Sequence, residues 1–526
     1  MSHLSIISFP KNCFLSILRK NTLILLCFFF FTLLSSQGFA QEANDAVKEV
    51  VKDTNSPAIF ERIISFFGIF ALVGVAWLFS SHRKKVDWRL VGIGVGLQLF
   101  FATFILVTPI GRPIFDAASA VFNKIISFTN AGSGLLFGGR APIDGGMLTT
   151  LAFGVLPTII FFSSLMAMLY HLGVMQKIVS GMSWLMQRTM KTSGSETLSA
   201  TANIFVGQTE APFMIKPYIS TMTMSELMAV MVGGFATVAG GVMAIYVAFL
   251  EPYFPGIAGH LMAASVMSAP AALVIAKVMY PETEESQTKG EIKVAIEKTD
   301  ENLIDAAARG AGEGLSLTLN VAAMLLAFVA LIAMVNYIFA LPSYWQHHGV
   351  LGTLWQDLLG AEVKLDQFKS CDPNTVLWEN SKACVEQLVP VAQLAKVEVA
   401  SLWSVITLEG LFGYIFAPFA VIIGIPMSEA LAVGQLLGTK IVLNEFIAYQ
   451  QLSELAKGGL LSERSILITN YALCGFANFG SIAIQIGGIG GIAPERRGDL
   501  AKLGLKAMIG GTLAAMMTAT VAGVLL

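Results

Sequence analysis

The chain has 526 residues, of which 55% are hydrophobic and only 13% charged, about half the charged share of a typical soluble protein. Thirty-three Lys and Arg stand against 35 Asp and Glu, a net charge of −2, and the basic residues are scattered over short loops rather than gathered in a stripe. Nucleic acid is therefore excluded as a partner, while 49 glycines in so apolar a chain suit the close helix packing and broken helices of a polytopic membrane bundle.

The chain opens with Lys11, Arg19 and Lys20, continues with an apolar run from Leu23 to Leu34, and then reaches Gly38, Phe39 and Ala40. The run is short for a bilayer span and its ending suits cleavage, so residues 1–40 are expected to be a signal peptide. An uncleaved anchor helix is the alternative, and in either case residues 41–62 lie outside the cytoplasm. Apolar segments near 63–81, 90–109, 147–170, 224–250, 256–279, 313–341, 464–489 and 502–526 are each long enough to cross. With an external amino terminus, these spans put Arg83, Lys84, Lys85 and Arg89, then Lys177, Arg188 and Lys191, then Arg496 and Arg497 inside, as the positive-inside rule requires. Arg112, Lys124 and Arg140 fall on the outer side, against that rule. A polar insert at 342–398, also expected outside, holds Cys371 and Cys384. A disulfide between them is expected in an oxidising compartment, with two free thiols as the alternative, and no zinc-site spacing accompanies them.

The two halves of the chain echo each other. Ser225-Glu226 leads to Gly234-Phe235-Ala236-Thr237, and Ser462-Glu463 leads to Gly475-Phe476-Ala477-Asn478. Each is preceded by a hydrophobic segment with a polar break: Asn203 to Pro212 in the first half, Leu443-Asn444-Glu445 in the second. Gly207 and Pro212 are expected to break the first segment and Gly438 to loosen the approach to the second. Both are read as re-entrant hairpins entering from opposite faces, an inverted repeat with a substrate site between the tips. The pattern Gly488-Ile489-Gly490-Gly491-Ile492-Ala493 follows a span rather than a strand, so it is read as helix packing or an exit turn, not a dinucleotide fingerprint.

Glu210 and Glu445 lie in apolar segments, where a carboxylate is costly unless paired or hydrated. The bland reading is a buried ion pair with Lys216 or Lys440, or a protonated, hydrogen-bonded Glu; the functional reading is a ligand site. A carboxylate accepts two hydrogen bonds, which suits vicinal hydroxyls, and Gln208 offers the donor and acceptor needed to read a heterocyclic base. Asn203, Thr209, Thr237, Asn478 and Ser481 add neutral oxygens and amides. A carbonyl freed at Val206 is a candidate ligand for a hard cation. No His-Glu-x-x-His or nucleophile signature occurs, so catalysis is not expected.

At Gly207-Gln208-Thr209-Glu210-Ala211-Pro212, Asn444-Glu445-Phe446, Gly475 through Ser481, Asn320 through Leu325 and Gly413 through Pro418, the chain resembles the concentrative nucleoside transporter family. The resemblance runs from about residue 90 to the end, apart from the insert. It implies an all-α membrane homotrimer with about eight transmembrane helices and two re-entrant hairpins, in which a transport subdomain moves like an elevator against a scaffold. It implies that Gln208, Thr209 and Glu210 serve the nucleobase, that Val242 and Phe476 line the pocket, and that Glu445, Asn478 and Ser481 hold the ribose. Sodium would sit on Asn203 and Thr237 and the carbonyls of Val206 and Val238. The expected organisation is scaffold helices at 63–192, a first repeat at 193–280, a cytoplasmic loop and long scaffold helix at 281–341, and a second repeat at 399–526. The expected function is sodium-driven nucleoside import across a bacterial inner membrane, without an organic cofactor. Proton coupling, and a nucleoside receptor or gated pore that does not accumulate its ligand, are the alternatives. Purine against pyrimidine preference stays open, because Gln208 could turn either edge to the base.

Overall fold

In a bilayer every backbone N–H and C=O must find its partner within the protein, and a helix satisfies that demand segment by segment. The computed structural model describes residues 59–137, 157–288, 300–348 and 408–526, and contains no strand among them. The expected signal peptide, residues 41–58, Arg140, the Cys371–Cys384 pair and most of the insert lie outside the described residues.

In chain order the helices are α1 (Ile59–Leu78), α2 (Trp88–Leu106), α3 (Gly111–Phe137), α4 (Pro157–His171), α5 (Val174–Met190), α6 (Gly194–Ala202), α7 (Lys216–Ile219), α8 (Met224–Ala236), α9 (Gly240–Leu250), α10 (Ile257–Met279) and α11 (Leu303–His348). After the insert come α12 (Leu408–Ile422), α13 (Ala430–Val442), α14 (Glu445–Lys457), α15 (Glu463–Leu473), α16 (Phe479–Ile492) and α17 (Arg497–Leu525). Helices α1, α2 and α10, the pair α8–α9, and α17 with its preceding turn are long and apolar enough to cross a membrane.

Three features depart from the sequence reading. Residues 111–137, expected only as an external segment, form a 27-residue helix, whose polar residues kept it below the hydropathy of a span. The span expected to end near residue 170 is followed, after a short break, by α5 bent 77° away from α4. Gly438 lies inside α13 and does not loosen it; a Cβ there would collide with Phe412 of α12. Its role is close approach between two helices, as small residues allow in membranes.

The echo between the halves survives as local geometry. Thr223 starts α8 by accepting from Glu226 N at 3.1 Å, and Ser462 starts α15 by accepting from Ser465 N at 3.3 Å, each an N-cap that satisfies an orphan helix donor. Each helix then breaks, at Thr237–Ala239 and at Cys474–Asn478, before α9 and α16 resume. Gly475 in the second break has φ +140°, and a Cβ on it would lie 2.7 Å from the carbonyl oxygen of Phe235. Gly475→Ala is therefore expected to lower stability by about 1–3 kcal/mol, seen as a reduced melting temperature of the detergent-solubilised protein.

Candidate functional site

The site is assembled from four helix interruptions. In the first half, Ser193 and Glu196 form a capping box at the start of α6, with Ser193 N donating to Glu196 Oε1 at 2.8 Å. The helix stops at Ala202, and Pro212 opens a 3-10 turn at Ala211–Ile215, so residues 203–210 form the expected break. In the second half, Asn444 ends the approach and starts α14, its Oδ1 accepting from Ile447 N at 3.0 Å. That cap places Glu445 at the first position of α14, where helix polarity favours a carboxylate.

Glu445 is the centre of the polar cluster. Its Oε1 accepts from Tyr246 Oη at 2.9 Å and its Oε2 from Asn478 Nδ2 at 3.0 Å. Asn478 also caps α16, its Oδ1 accepting from Ser481 N at 2.8 Å, so one amide fixes both the carboxylate and the helix that carries Ser481. Gln208 reaches across from the first break: its Nε2 donates to Ser481 Oγ at 3.1 Å, and its Oε1 accepts from Gln485 Nε2 at 3.0 Å. Glu445, Asn478, Ser481 and Gln208, drawn from both halves, thus share one buried hydrogen-bonded cluster. Lys440, the potential counter-ion of Glu445, donates instead to the carbonyl of Ala472 at 2.9 Å.

The residues expected to hold a cation lie at the first break and at the break between α8 and α9. Asn203 donates its Nδ2 to Ser199 O at 3.0 Å, which leaves its amide oxygen for a ligand. Thr237 Oγ1 lies 3.0 Å from Gly233 O and 2.9 Å from Ser268 Oγ. Gly240 N donates to Phe205 O at 3.2 Å, tying the first break to the start of α9. Among the described residues no backbone donor reaches the carbonyl of Val206 or Val238. Oxygen donors of this type suit a hard monovalent or divalent cation.

Not every expected residue joins the cluster. Glu210 is exposed; its carboxylate folds over Gly207, within electrostatic reach of Glu313. Thr209 packs against Gly488, where a Cβ would lie 2.8 Å from its Cγ2, so that glycine serves helix packing. Val242 lies buried in the first turn of α9, and Phe476 is half-buried in the second break. Tyr246, Ser268 and Gln485 were missed. Tyr246 stacks on Tyr449 at 4.1 Å between ring centroids, and it stands one helical turn from Val242, a spacing that puts both on one face. Gln485 stands in the same relation to Ser481.

Helical spans interrupted by irregular backbone that meets at a buried polar cluster define a membrane protein of the transporter type. The sequence comparisons agree: "Na+ dependent nucleoside transporter C-terminus" matches residues 260–362 and 383–523, its N-terminal counterpart matches 67–140, and "Gate: Nucleoside recognition" matches 152–253. Solute carrier family 28 member 3 of Eptatretus stoutii is 38% identical over 478 residues, which is 88% of this chain and 60% of that protein. An uncharacterised transporter of Haemophilus influenzae is 39% identical over 87% of this chain and 96% of its own length. The chain thus spans about two thirds or less of the animal relatives and nearly all of the bacterial one. The solved structure of CNTnw in an inward-facing substrate-bound state superposes with a TM-score of 0.72 at 38% identity, covering 88% of this chain and 97% of that one. The chain belongs to the concentrative nucleoside transporter family.

Proposed function

We propose that this chain is a secondary active importer of nucleosides driven by the sodium gradient, working by elevator-type alternating access. The observation that carries the reading is the cluster in which Gln208 of the first half meets Ser481, Asn478 and Glu445 of the second. Glu445 accepts the ribose hydroxyls, with Tyr246 and Asn478 holding its two oxygens in place, while Gln208 and Thr209 face the base and Val242 and Phe476 wall the pocket. A related name, sodium/nucleoside cotransporter 1 of Mus musculus, at 36% identity over 88% of this chain, supports both ligands.

Coupling follows from chain connectivity. Asn203, Thr237 and the carbonyls of Val206 and Val238 bind sodium, and Val206 is only two residues from Gln208. A cation that orders Val206 therefore also orders the base-reading side chain, so sodium and nucleoside each raise the affinity for the other. The two halves are braced for joint movement: Arg496 donates to the carbonyls of Ile219, Ser220 and Met222 at 3.2, 3.1 and 2.6 Å, joining the end of the first hairpin to the turn before α17. The same reading places the protein as a homotrimer in a bacterial inner membrane, with exposed apolar residues such as Phe67, Phe70 and Leu326 against lipid or sister subunits.

Sodium titration of labelled-uridine binding to purified protein tests the ion site. Thr237→Val keeps the side chain's shape and removes its hydroxyl. It is expected to raise the half-saturating sodium concentration about tenfold, with uridine affinity at saturating sodium preserved. An unchanged sodium requirement would remove Thr237 from the ion site.

A further inference from the structure

Gln485 is fully buried in α16, one turn beyond Ser481, and it links two groups. Its Nε2 lies 3.1 Å from the carbonyl oxygen of Met231 in α8 and 3.0 Å from Gln208 Oε1. A backbone carbonyl can only accept, so the Gln485 group that faces Met231 must be its N–H2. The same N–H2 faces Gln208, and two donors cannot share a contact, so the Gln208 atom there must be its oxygen. The N–H2 of Gln208 is thereby turned to the other side, where one of its hydrogens engages Ser481 Oγ at 3.1 Å. The orientation of Gln208 is thus dictated by a chain of bonds that starts at an atom with no choice of role.

Gly234 makes the meeting of the two glutamines possible. A Cβ at that position would lie 2.7 Å from Gln485 Nε2 and 2.9 Å from Gln208 Cβ. A methyl group there would push the two amides apart.

We propose that Gln485 is a specificity-determining positioning residue: held by the Met231 carbonyl, it locks the Gln208 amide with its N–H2 towards the ligand, so that the site favours nucleobases presenting a carbonyl there. Uracil and hypoxanthine carry a carbonyl oxygen at the position where cytosine and adenine carry an amino group. A fixed donor pairs with the first two and opposes a second donor in the others, leaving a buried N–H unsatisfied. The inference rests on the reading that Gln208 faces the nucleobase.

The test is displacement of labelled uridine from the purified full-length protein in detergent and saturating sodium, by cytidine, inosine and adenosine. The parent is expected to favour uridine over cytidine, and inosine over adenosine, by about tenfold. Gln485→Met removes the anchoring donor at similar volume and should bring both ratios towards one while the number of uridine sites per protein is retained, which a general packing defect would not do. Gly234→Ala separates the glutamines by an independent route and should lower the ratios in the same direction. Equal affinity within either pair for the parent, or parental ratios in a folded variant, would overturn the proposal. Failure of the nucleoside reading itself would look different, since the parent would then show no sodium-dependent uridine binding.

Discussion

Glu445→Gln is expected to lower the kcat/KM of uridine uptake about a hundredfold while the protein still folds and inserts. The carboxylate sits at the start of α14, buried, with one oxygen bonded to Tyr246 and the other to Asn478. Each ribose hydroxyl that donates to a charged, desolvated acceptor gains about 1.5–3 kcal/mol, and tenfold in affinity corresponds to about 1.4 kcal/mol. The amide keeps one acceptor oxygen but turns an N–H2 towards either Tyr246 or Asn478, both of which donate in the native arrangement. The loss therefore includes a mispaired donor as well as a weaker acceptor. Tyr246→Phe removes only one support of the carboxylate and should cost about tenfold. Initial rates of labelled-uridine uptake across a concentration series measure both. Glu445→Gln with parental kinetics would take the ribose contact away from this residue.

Lys277→Met is expected to lower stability by about 3–5 kcal/mol, larger than any single change at the ligand cluster. Lys277 lies near the end of α10 with its Nζ 2.7 Å from Glu196 Oε2, and the two side chains are 9% and 1% exposed. Lys277 also donates to Ser225 Oγ at 2.9 Å. Nearby, Glu226 gathers Ser286 Oγ at 2.5 Å and Thr288 Oγ1 at 2.8 Å, fastening residues 286–288 onto the base of α8. Removing the lysine strands Glu196 as an uncompensated buried carboxylate at the root of the first hairpin. Adding Glu196→Gln to Lys277→Met removes that stranded charge, so the double variant should melt well above the single one. Thermal unfolding of the parent, both single variants and the double variant completes the cycle. Additive losses would mean that the two residues do not act as a pair.

Much of the architecture was legible because its causes are local. Apolar runs of span length announce their helices, and Gly207, Pro212 and Asn444 interrupt theirs for reasons confined to a few residues. The polar residues of those interruptions could be nominated because an amide or carboxylate in an apolar segment needs a partner. Their partners could not be named, since Tyr246 and Glu445 are 199 residues apart in the chain and Gln208 and Gln485 are 277 apart. Gly438 illustrates the same limit: a glycine in an apolar run reads as a loosened helix or as a tight contact, and only the neighbour, Phe412, decides. Glu210 was placed on the base side with Gln208 by the shared motif Gly207–Pro212; its side chain folds back over Gly207, while that of Gln208 crosses to α16. The orientation of Gln208, open in the sequence, is settled by the carbonyl of Met231 acting through Gln485.

Uptake of labelled uridine into proteoliposomes tests the central claim most directly, with an inward sodium gradient compared with choline and with a proton gradient alone. Sodium-driven coupling predicts accumulation above the external concentration only with the sodium gradient, collapsing when sodium is equalised across the membrane. Uptake that follows the proton gradient and ignores sodium, or that merely equilibrates under every condition, would contradict it.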